Sequence, residues 1–575
     1  MQLARNLRIP AVFCALVVLI CELVSRPFAK MGVCDDGPYI LMAQTLATTG
    51  HIVYNGWANP MLGWQLYVGA AFIKLFGFSF TAVRMSTLLV SLVLVFFLQR
   101  TFVRAGITER NATLATLAIA VSPLYLTLSV IYMTDIFGLF AIVTCLYGCL
   151  RALQSETSNA AIVWLCFAVA TNAVFGTARQ IAWLGVLVMV PSVLWLLRAQ
   201  RRILIAGSAA TLAGALFIFA CMHWLKHQPY SIPEHLLPET FPIRDTFWTL
   251  AHLFLELPFI LLPILGLFLF TLRKSSPRVI LIISTLILGY LFVGFYPSHL
   301  RGEFVLEPTV NDWMTNAANH LFVQLHGMPP LFLPKWMQVL LTVASLGSFL
   351  ALIAALLRPA PTLAPESSSR SIAWSQLGAL LVPFTLAYSL LLIPRATSLI
   401  LSDRYLLGLL VPAMLCLTLY FQQTVQPKLP LTAVLLIALM ALYGVTFNHN
   451  VFAFYRARVT LADELRAAGV PDTSFDGGWE HNVLTELRYA THINDPHILI
   501  PANSYVPPPP SPIGICSLNW FWRNYTPHIH PVYSVSFDPN ACYGVAPFAP
   551  VHYSRWMASA PGTLYAVRAK PPATP

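Results

Sequence analysis

Long apolar runs separated by short polar breaks dominate the first 450 residues, and most of them are long enough to cross a bilayer as helices. A hydrocarbon core of about 30 Å takes roughly 20 apolar residues in helix, because each unsatisfied backbone amide in lipid costs several kcal/mol. Runs of this kind fall at 9–24, 80–102, 112–130, 136–150, 160–174, 181–197 and 203–221. Six more follow at 248–272, 279–296, 339–357, 372–393, 405–421 and 431–447. The expectation is an all-α polytopic membrane protein of about thirteen transmembrane helices. The first run has Arg5 and Arg8 before it and Glu22 and Arg26 after it, with no small-residue cleavage site, so it reads as a retained span.

Three loops are longer than plain connectors need to be: about 25–79, 223–247 and 297–335. The first holds two stretches, 38–48 and 62–76, with apolar residues at helical spacing and polar interruptions, which suits helices lying in the membrane interface. After Phe447 the pattern changes to charged residues, prolines and short alternating stretches. The chain therefore divides into a transmembrane body, 1–447, with a catalytic first loop at 25–79, and a small α+β C-terminal domain, 448–575. That domain is expected to open with an amphipathic helix over 458–468 and continue as short strands and loops.

Composition sharpens this picture. Hydrophobic residues make up 57% and charged residues 10% of the 575, against roughly 25% charged in ordinary soluble domains, which excludes a soluble enzyme. Basic residues orient the spans, since short loops rich in Lys and Arg stay cytoplasmic. With the N-terminus cytoplasmic, alternate loops collect Arg100, Arg104 and Arg110, then Arg151, then Arg198, Arg201 and Arg202, then Arg273, Lys274 and Arg278, then Arg358 and Arg370, then Lys428. An odd number of spans places the C-terminal domain and the first loop on the exported side. The net charge of +11 is explained by this topology, and no basic-aromatic stripe points to nucleic acid.

Seven of the ten cysteines lie in predicted spans, where a thiol is a small apolar group. Cys516 and Cys542 share the exported tail, where an oxidising compartment permits a disulfide. No CxxC or HExxH spacing marks a metal site.

Carboxylates are scarce, and those at the exported face carry the candidate chemistry. Asp35 and Asp36 directly follow the first span. Adjacent carboxylates repel, a pairing that suits a cationic or reactive partner. One reads as the general base that deprotonates an acceptor hydroxyl, the other as the cap of the helix that follows. Asp135, at the exported end of the fourth span, either holds the acceptor or a cation or caps its helix. Arg179 and Arg404 begin the sixth and twelfth spans on the same face, with Arg395 upstream. Each either meets phosphate oxygens or snorkels to lipid head groups.

In order, these residues resemble the C-type glycosyltransferase superfamily, specifically the bacterial relatives of protein O-mannosyltransferases and of lipid A aminoarabinose transferases. In that group an Asp-Glu pair after the first span precedes a Tyr and a helix ending in Gly; here stand Asp35-Asp36-Gly37-Pro38-Tyr39 and, later, Gly50. The group's P-L-x-W and F-G-x-S-x-x-x-x-R stretches are similar to Pro60-Met61-Leu62-Gly63-Trp64 and to Phe76-Gly77-Phe78-Ser79 through Arg84. Its second Asp, its basic residue before the sixth span and its late Arg-Tyr correspond to Asp135, Arg179 and Arg404-Tyr405. The chain departs in having Asp36 for Glu and Asn59 for a frequent Lys.

The resemblance implies inverting transfer of a sugar from a polyprenyl-phosphate donor to a lipid, glycan or protein acceptor at the bacterial plasma (inner) membrane, with Asp35 as base. It implies no organic cofactor, and it leaves room for a divalent cation near Asp35 and Asp135 without requiring one. Two rival readings are an envelope polysaccharide ligase or polymerase and a lipid-linked glycan transporter. A transporter would show related halves and charges at mid-membrane, whereas the carboxylates here cluster at one face.

Overall fold

The computed structural model describes residues 9–57, 60–232, 241–300, 325–327, 330, 333–358, 372–397, 402–508, 523–539, 542–558 and 560–569. Arg5, Arg8, Asn59, Arg370 and Cys516 lie outside the described residues, as does most of the predicted 297–335 loop.

Each predicted apolar run falls on a helix or on a broken one. The body begins with α1 (Ile9–Ser25), α2 (Asp36–Thr49), α3 (Gly63–Phe76), α4 (Phe80–Arg104), α5 (Glu109–Ala120), α6 (Pro123–Ser129), α7 (Thr134–Leu153) and α8 (Ser158–Phe175). It continues with α9 (Val190–Leu196), α10 (Arg201–Lys226), α11 (Ile243–Leu265), α12 (Pro277–Leu300), α13 (Lys335–Leu356), α14 (Trp374–Ala396), α15 (Leu407–Thr424) and α16 (Leu431–Ala467). Among the described residues nine helices are long and apolar enough to cross a membrane, or ten with the bent pair α5–α6. Large apolar side chains point outward along them, such as Leu212, Leu216 and Phe219 on α10 and Leu435, Leu439 and Leu442 on α16. Such apolar stripes suit lipid rather than water, and the chain is an integral membrane protein.

Three of the runs that differ from straight spans show why. The run at 112–130 bends by 72° between α5 and α6. There the Ser122 hydroxyl accepts from the Tyr125 amide and Pro123 opens the new helix, a stop-and-restart signal. The run at 181–197 starts as a 3₁₀ turn, Gln180–Trp183, and passes through a π turn, Gly185–Met189, before α9. Asn172 causes this: its amide donates to the carbonyls of Ala141 and Ala182 and accepts from the Val186 N–H, wedging into the helical ladder. The last run continues unbroken into the predicted amphipathic segment, so α16 is one helix of 37 residues. At 1.5 Å per residue it is about 55 Å long, well beyond the hydrocarbon thickness.

The α1 helix is built into the body. Its buried Glu22 accepts from Asn448 Nδ2 on α16 at 2.7 Å and from Ser129 Oγ on α6 at 3.1 Å. The two first-loop stretches are helical as expected: α2 and α3 pack on each other, and α3 also lies against α4 and α8.

Beyond α16 lies a small sheet unit with β1 (Phe475–Asp476), α17 (Trp479–Ala490), β2 (Tyr533–Ser536), β3 (Tyr543–Val545), β4 (Val551–Tyr553) and β5 (Gly562–Ala569). β5 pairs antiparallel with β2, β3 and β4, with Val535 opposite Ala566 and His552 opposite Thr563, while β1 pairs parallel with β2. The tail was expected to hold only strands and loops after its first helix; α17 is an addition. Its apolar residues Trp479, Val483, Leu484 and Leu487 recur at helical spacing and all are buried. Cys542 is disulfide-bonded, and its partner falls outside the described residues.

Candidate functional site

The connectivity of the helices gathers the predicted residues at one end of the body. Asp35 precedes α2, Asp135 sits in the first turn of α7, Arg179 follows α8, Arg395 ends α14 and Arg404 precedes α15. Among the basic loop residues, Arg151 sits in the last turn of α7, at the end opposite Asp135, while Arg100 and Arg104 lie at the C-terminal end of α4 and Arg198 just after α9.

The two aspartates after α1 have opposite surroundings. Asp36 is completely buried, and both its oxygens are held by the Arg84 guanidinium, Nε to Oδ2 at 2.7 Å and Nη2 to Oδ1 at 3.0 Å. It also accepts from the amides of Val33 at 2.7 Å and Tyr132 at 3.3 Å. Arg84 in turn donates to the carbonyls of Ala29 and Met31. Four donors thus take up the two oxygens of Asp36, and it clamps the 29–36 segment onto α4. The F-G-x-S…R stretch acquires a physical meaning here. Ser79 caps α4 by accepting from the Ala82 amide, which fixes the helix phase that turns Arg84 inward.

Asp35 points the other way. It occupies the cap position of α2 but makes no side-chain cap bond. A quarter of its side chain is exposed, and Oδ2 lies 3.8 Å from Arg404 Nη2. Trp479 Nε1–H, from the first turn of α17, donates to Oδ1 at 3.3 Å. Arg404 Nη1 reaches in turn to within 3.9 Å of Asp135 Oδ2. The other oxygen of Asp135 is held by Arg179 in a close ion pair, with Arg179 also donating to Thr134 Oγ1 at 3.3 Å. The result is an alternating row, Asp35–Arg404–Asp135–Arg179. The Arg404 guanidinium thus lies between the two carboxylates for which a divalent cation is allowed on sequence.

Three aromatic rings line this row. The Tyr405 ring faces the guanidinium groups of Arg179 at 4.8 Å, Arg395 at 5.6 Å and Arg404 at 5.7 Å, within cation–π range. Tyr388 O–H donates to the Tyr405 carbonyl at 3.0 Å. Tyr39 is buried beside the cluster; burial, and then the negative charge of Asp35, push its phenol above the ordinary range, so it stays a neutral donor.

The row is not saturated. Arg404 Nε and Asp135 Oδ2 are buried and have no hydrogen-bond partner among the described residues. Both residues border a narrow recess of about 10 Å³, whose other walls include Leu139, Ile142, Ile181 and Leu407. Gly138 permits the arrangement, because a Cβ there would sit 2.8 Å from Arg179 Cβ and 2.9 Å from its Cδ. Among the described residues no group of three or more His, Cys, Asp or Glu side chains is placed to hold a metal ion.

Arg84 stood in a motif without an assigned role, and Trp479 is reached only because α17 folds back over the first loop. Thus seven of the eight candidates, Asp35, Asp135, Arg179, Arg404, Tyr405, Arg395 and Tyr39, share one site, and Asp36 adjoins it from a closed pocket.

Residues 59–226 match the family described as dolichyl-phosphate-mannose-protein mannosyltransferase. No curated protein matches the chain by sequence. Among solved structures, ArnT from Cupriavidus metallidurans in the apo state is 15% identical, with 83% of this chain and 84% of that one covered and a TM-score of 0.39. The same protein bound to undecaprenyl phosphate is also 15% identical, with 84% of each chain covered and a TM-score of 0.41. The family match takes in Trp64, Arg84, Asp135 and Arg179, and with it the resemblance of this chain to the C-type glycosyltransferase superfamily is borne out.

Proposed function

We propose that this protein is an inverting glycosyltransferase that moves a sugar from a polyprenyl-phosphate donor to an acceptor hydroxyl, at the exported face of a bacterial plasma membrane. The observation that carries the reading is the cationic centre: a buried Arg404 whose Nε has no hydrogen-bond partner among the described residues, backed by Arg179 and Arg395 and bordered by a narrow apolar recess. Arginine forks suit phosphate oxygens, and Leu139, Ile142, Ile181 and Leu407 present apolar side chains beside them. The family matched over residues 59–226 carries a lipid-phosphate mannose in its description, which supports a donor of this chemistry. Basic loop residues at the far ends of the helices favour placing the site on the exported side.

In this reading the Asp35 carboxylate removes the acceptor hydroxyl proton as the oxygen attacks the anomeric carbon. The bond from that carbon to the phosphate oxygen breaks, and its electron pair leaves with the phosphate. Arg404 and Arg179 stabilise the charge that gathers there, an effect strengthened where water is scarce. Asp135 holds Arg179 and Arg404 in place and offers Oδ2 to orient the acceptor.

The test is turnover of a panel of labelled polyprenyl-phosphate sugars by the purified protein in detergent. Wild type is expected to release polyprenyl phosphate, and Asp35→Asn to do so roughly a hundred- to ten-thousand-fold more slowly. Equal consumption by both proteins would remove Asp35 as base. Binding of a carrier without consumption would favour transport.

A further inference from the structure

We infer that the C-terminal unit positions the proposed catalytic loop through a buried chain of Arg458, Glu480 and Tyr455, and that Trp479 completes the link at Asp35. The inference rests on reading Asp35 as the base, and it gives the tail a definite task in the reaction.

The starting point is a strained residue. Cys34, immediately before Asp35, has φ of +54°, in the left-handed region that residues with a Cβ avoid. Such a conformation persists where its surroundings hold it. Here the Cys34 N–H donates to Tyr455 Oη at 3.3 Å, and the Tyr455 O–H donates in a short bond to Glu480 Oε1. Glu480 Oε2 lies 2.8 Å from Arg458 Nη1, and Arg458 donates through Nε and Nη2 to the Gly477 carbonyl at 3.1 and 2.6 Å. All three side chains are buried.

The members come from separate elements. Tyr455 and Arg458 stand one turn apart on α16, and Glu480 and Trp479 are in the first turn of α17. A buried ion pair is weak as glue, because desolvation offsets much of its attraction, but it fixes geometry firmly. It ties the start of α17 to α16, and the two helices deliver one contact each to neighbouring residues of the loop: the Tyr455 phenol from α16 to the Cys34 amide, and the Trp479 indole N–H from α17 to the Asp35 carboxylate. Trp57 packs on Trp479 at 4.6 Å between ring centres and limits its swing. One side of Asp35 is thus set by α17 while the other faces Arg404.

The prediction separates positioning from adhesion. In Tyr455→Phe the ring remains and the hydroxyl is lost. Deuterium exchange in the peptide containing residues 31–36 should rise, and kcat should fall about tenfold with the KM for donor unchanged, since small misplacement of a reacting group is costly. In Trp479→Phe the carboxylate loses a donor that favours its charged form, so the acid limb of the kcat profile should move to higher pH. Melting temperature in detergent should stay near wild type in both variants. Exchange that does not change in Tyr455→Phe overturns the inference, as does faster exchange with kcat intact. Loss of activity only in step with melting temperature, with an unmoved pH limb in Trp479→Phe, would reduce the chain to adhesion and likewise overturn it. A wild type that consumes no donor of the panel removes the transferase reading instead, and the exchange comparison still decides whether the tail holds the loop.

Discussion

Asp35 and Asp36 are neighbours in sequence and opposites in environment. Asp36 lies in a closed pocket where one guanidinium and two amides take up both oxygens, whereas Asp35 lies in an open row with a longer contact to Arg404 and a weak one to Trp479. A closed pair contributes shape, whereas the longer contacts of Asp35 hold it less tightly. The same contrast recurs between the arginines: Arg84 donates to four oxygens, while Arg404 keeps a buried Nε without a partner among the described residues. For the arginines, saturation rather than burial or charge separates the one that holds the loop from the one proposed to act.

The comparison breaks most visibly at the closed pair. Asp36→Ala leaves Arg84 buried without its counter-charge and should cost about 3–5 kcal/mol, seen as a large drop in melting temperature and in folded yield. Asp35→Ala should leave both near wild type, because its side chain is partly exposed and caps nothing. A drop of the same size in both would erase the distinction.

The next effect is on the donor. Arg404→Ala should raise the KM for polyprenyl-phosphate sugar by roughly ten- to a hundredfold, in line with losing a charge-assisted contact of about 1.5–3 kcal/mol. Arg404→Lys should recover part of this, since it keeps the charge and loses the fork. Gly138→Ala sharpens the point without touching a charge. The added Cβ presses on Arg179 from 2.8 Å and should lower kcat/KM by about tenfold, within the range for overpacking.

The smallest effect belongs to the tail surface. Asp472 is held below the usual carboxylate range, first by a hydrogen bond from His481 and then by Arg466. A depressed pKa adds stability above the ordinary Asp value of about 4, and that contribution is lost as pH falls through the folded-state value. Asp472→Asn should therefore cost under about 1 kcal/mol at neutral pH and should flatten the acid side of the stability curve.

These contrasts also mark what was legible in the sequence. Run length and basic-loop alternation placed Asp35, Asp135, Arg179 and Arg404 at one end of the body, because a helix that crosses a layer fixes the side of its ends. The choice between Asp35 and Asp36 was not decided by the residues themselves, since their order does not say which side chain meets Arg84, 48 positions away. The bend at Ser122-Pro123 was written in a capping residue followed by proline, yet apolar composition alone runs straight through it. The irregular start of the sixth run depends on Asn172 from the preceding helix, a tertiary effect with no local signal. Residues 479–487 carried a helical period too short to stand out among prolines, and with α17 went the contact of Trp479 with Asp35.

The most direct measurement is equilibrium binding of polyprenyl phosphate, without its sugar, to wild type, Asp35→Asn and Arg404→Ala. If the open row divides into a base and a phosphate site, Asp35→Asn binds the carrier at least as tightly as wild type, because a nearby negative charge is gone, and Arg404→Ala binds it at least tenfold more weakly. Loss of binding in Asp35→Asn together with unchanged binding in Arg404→Ala would contradict the account at its centre.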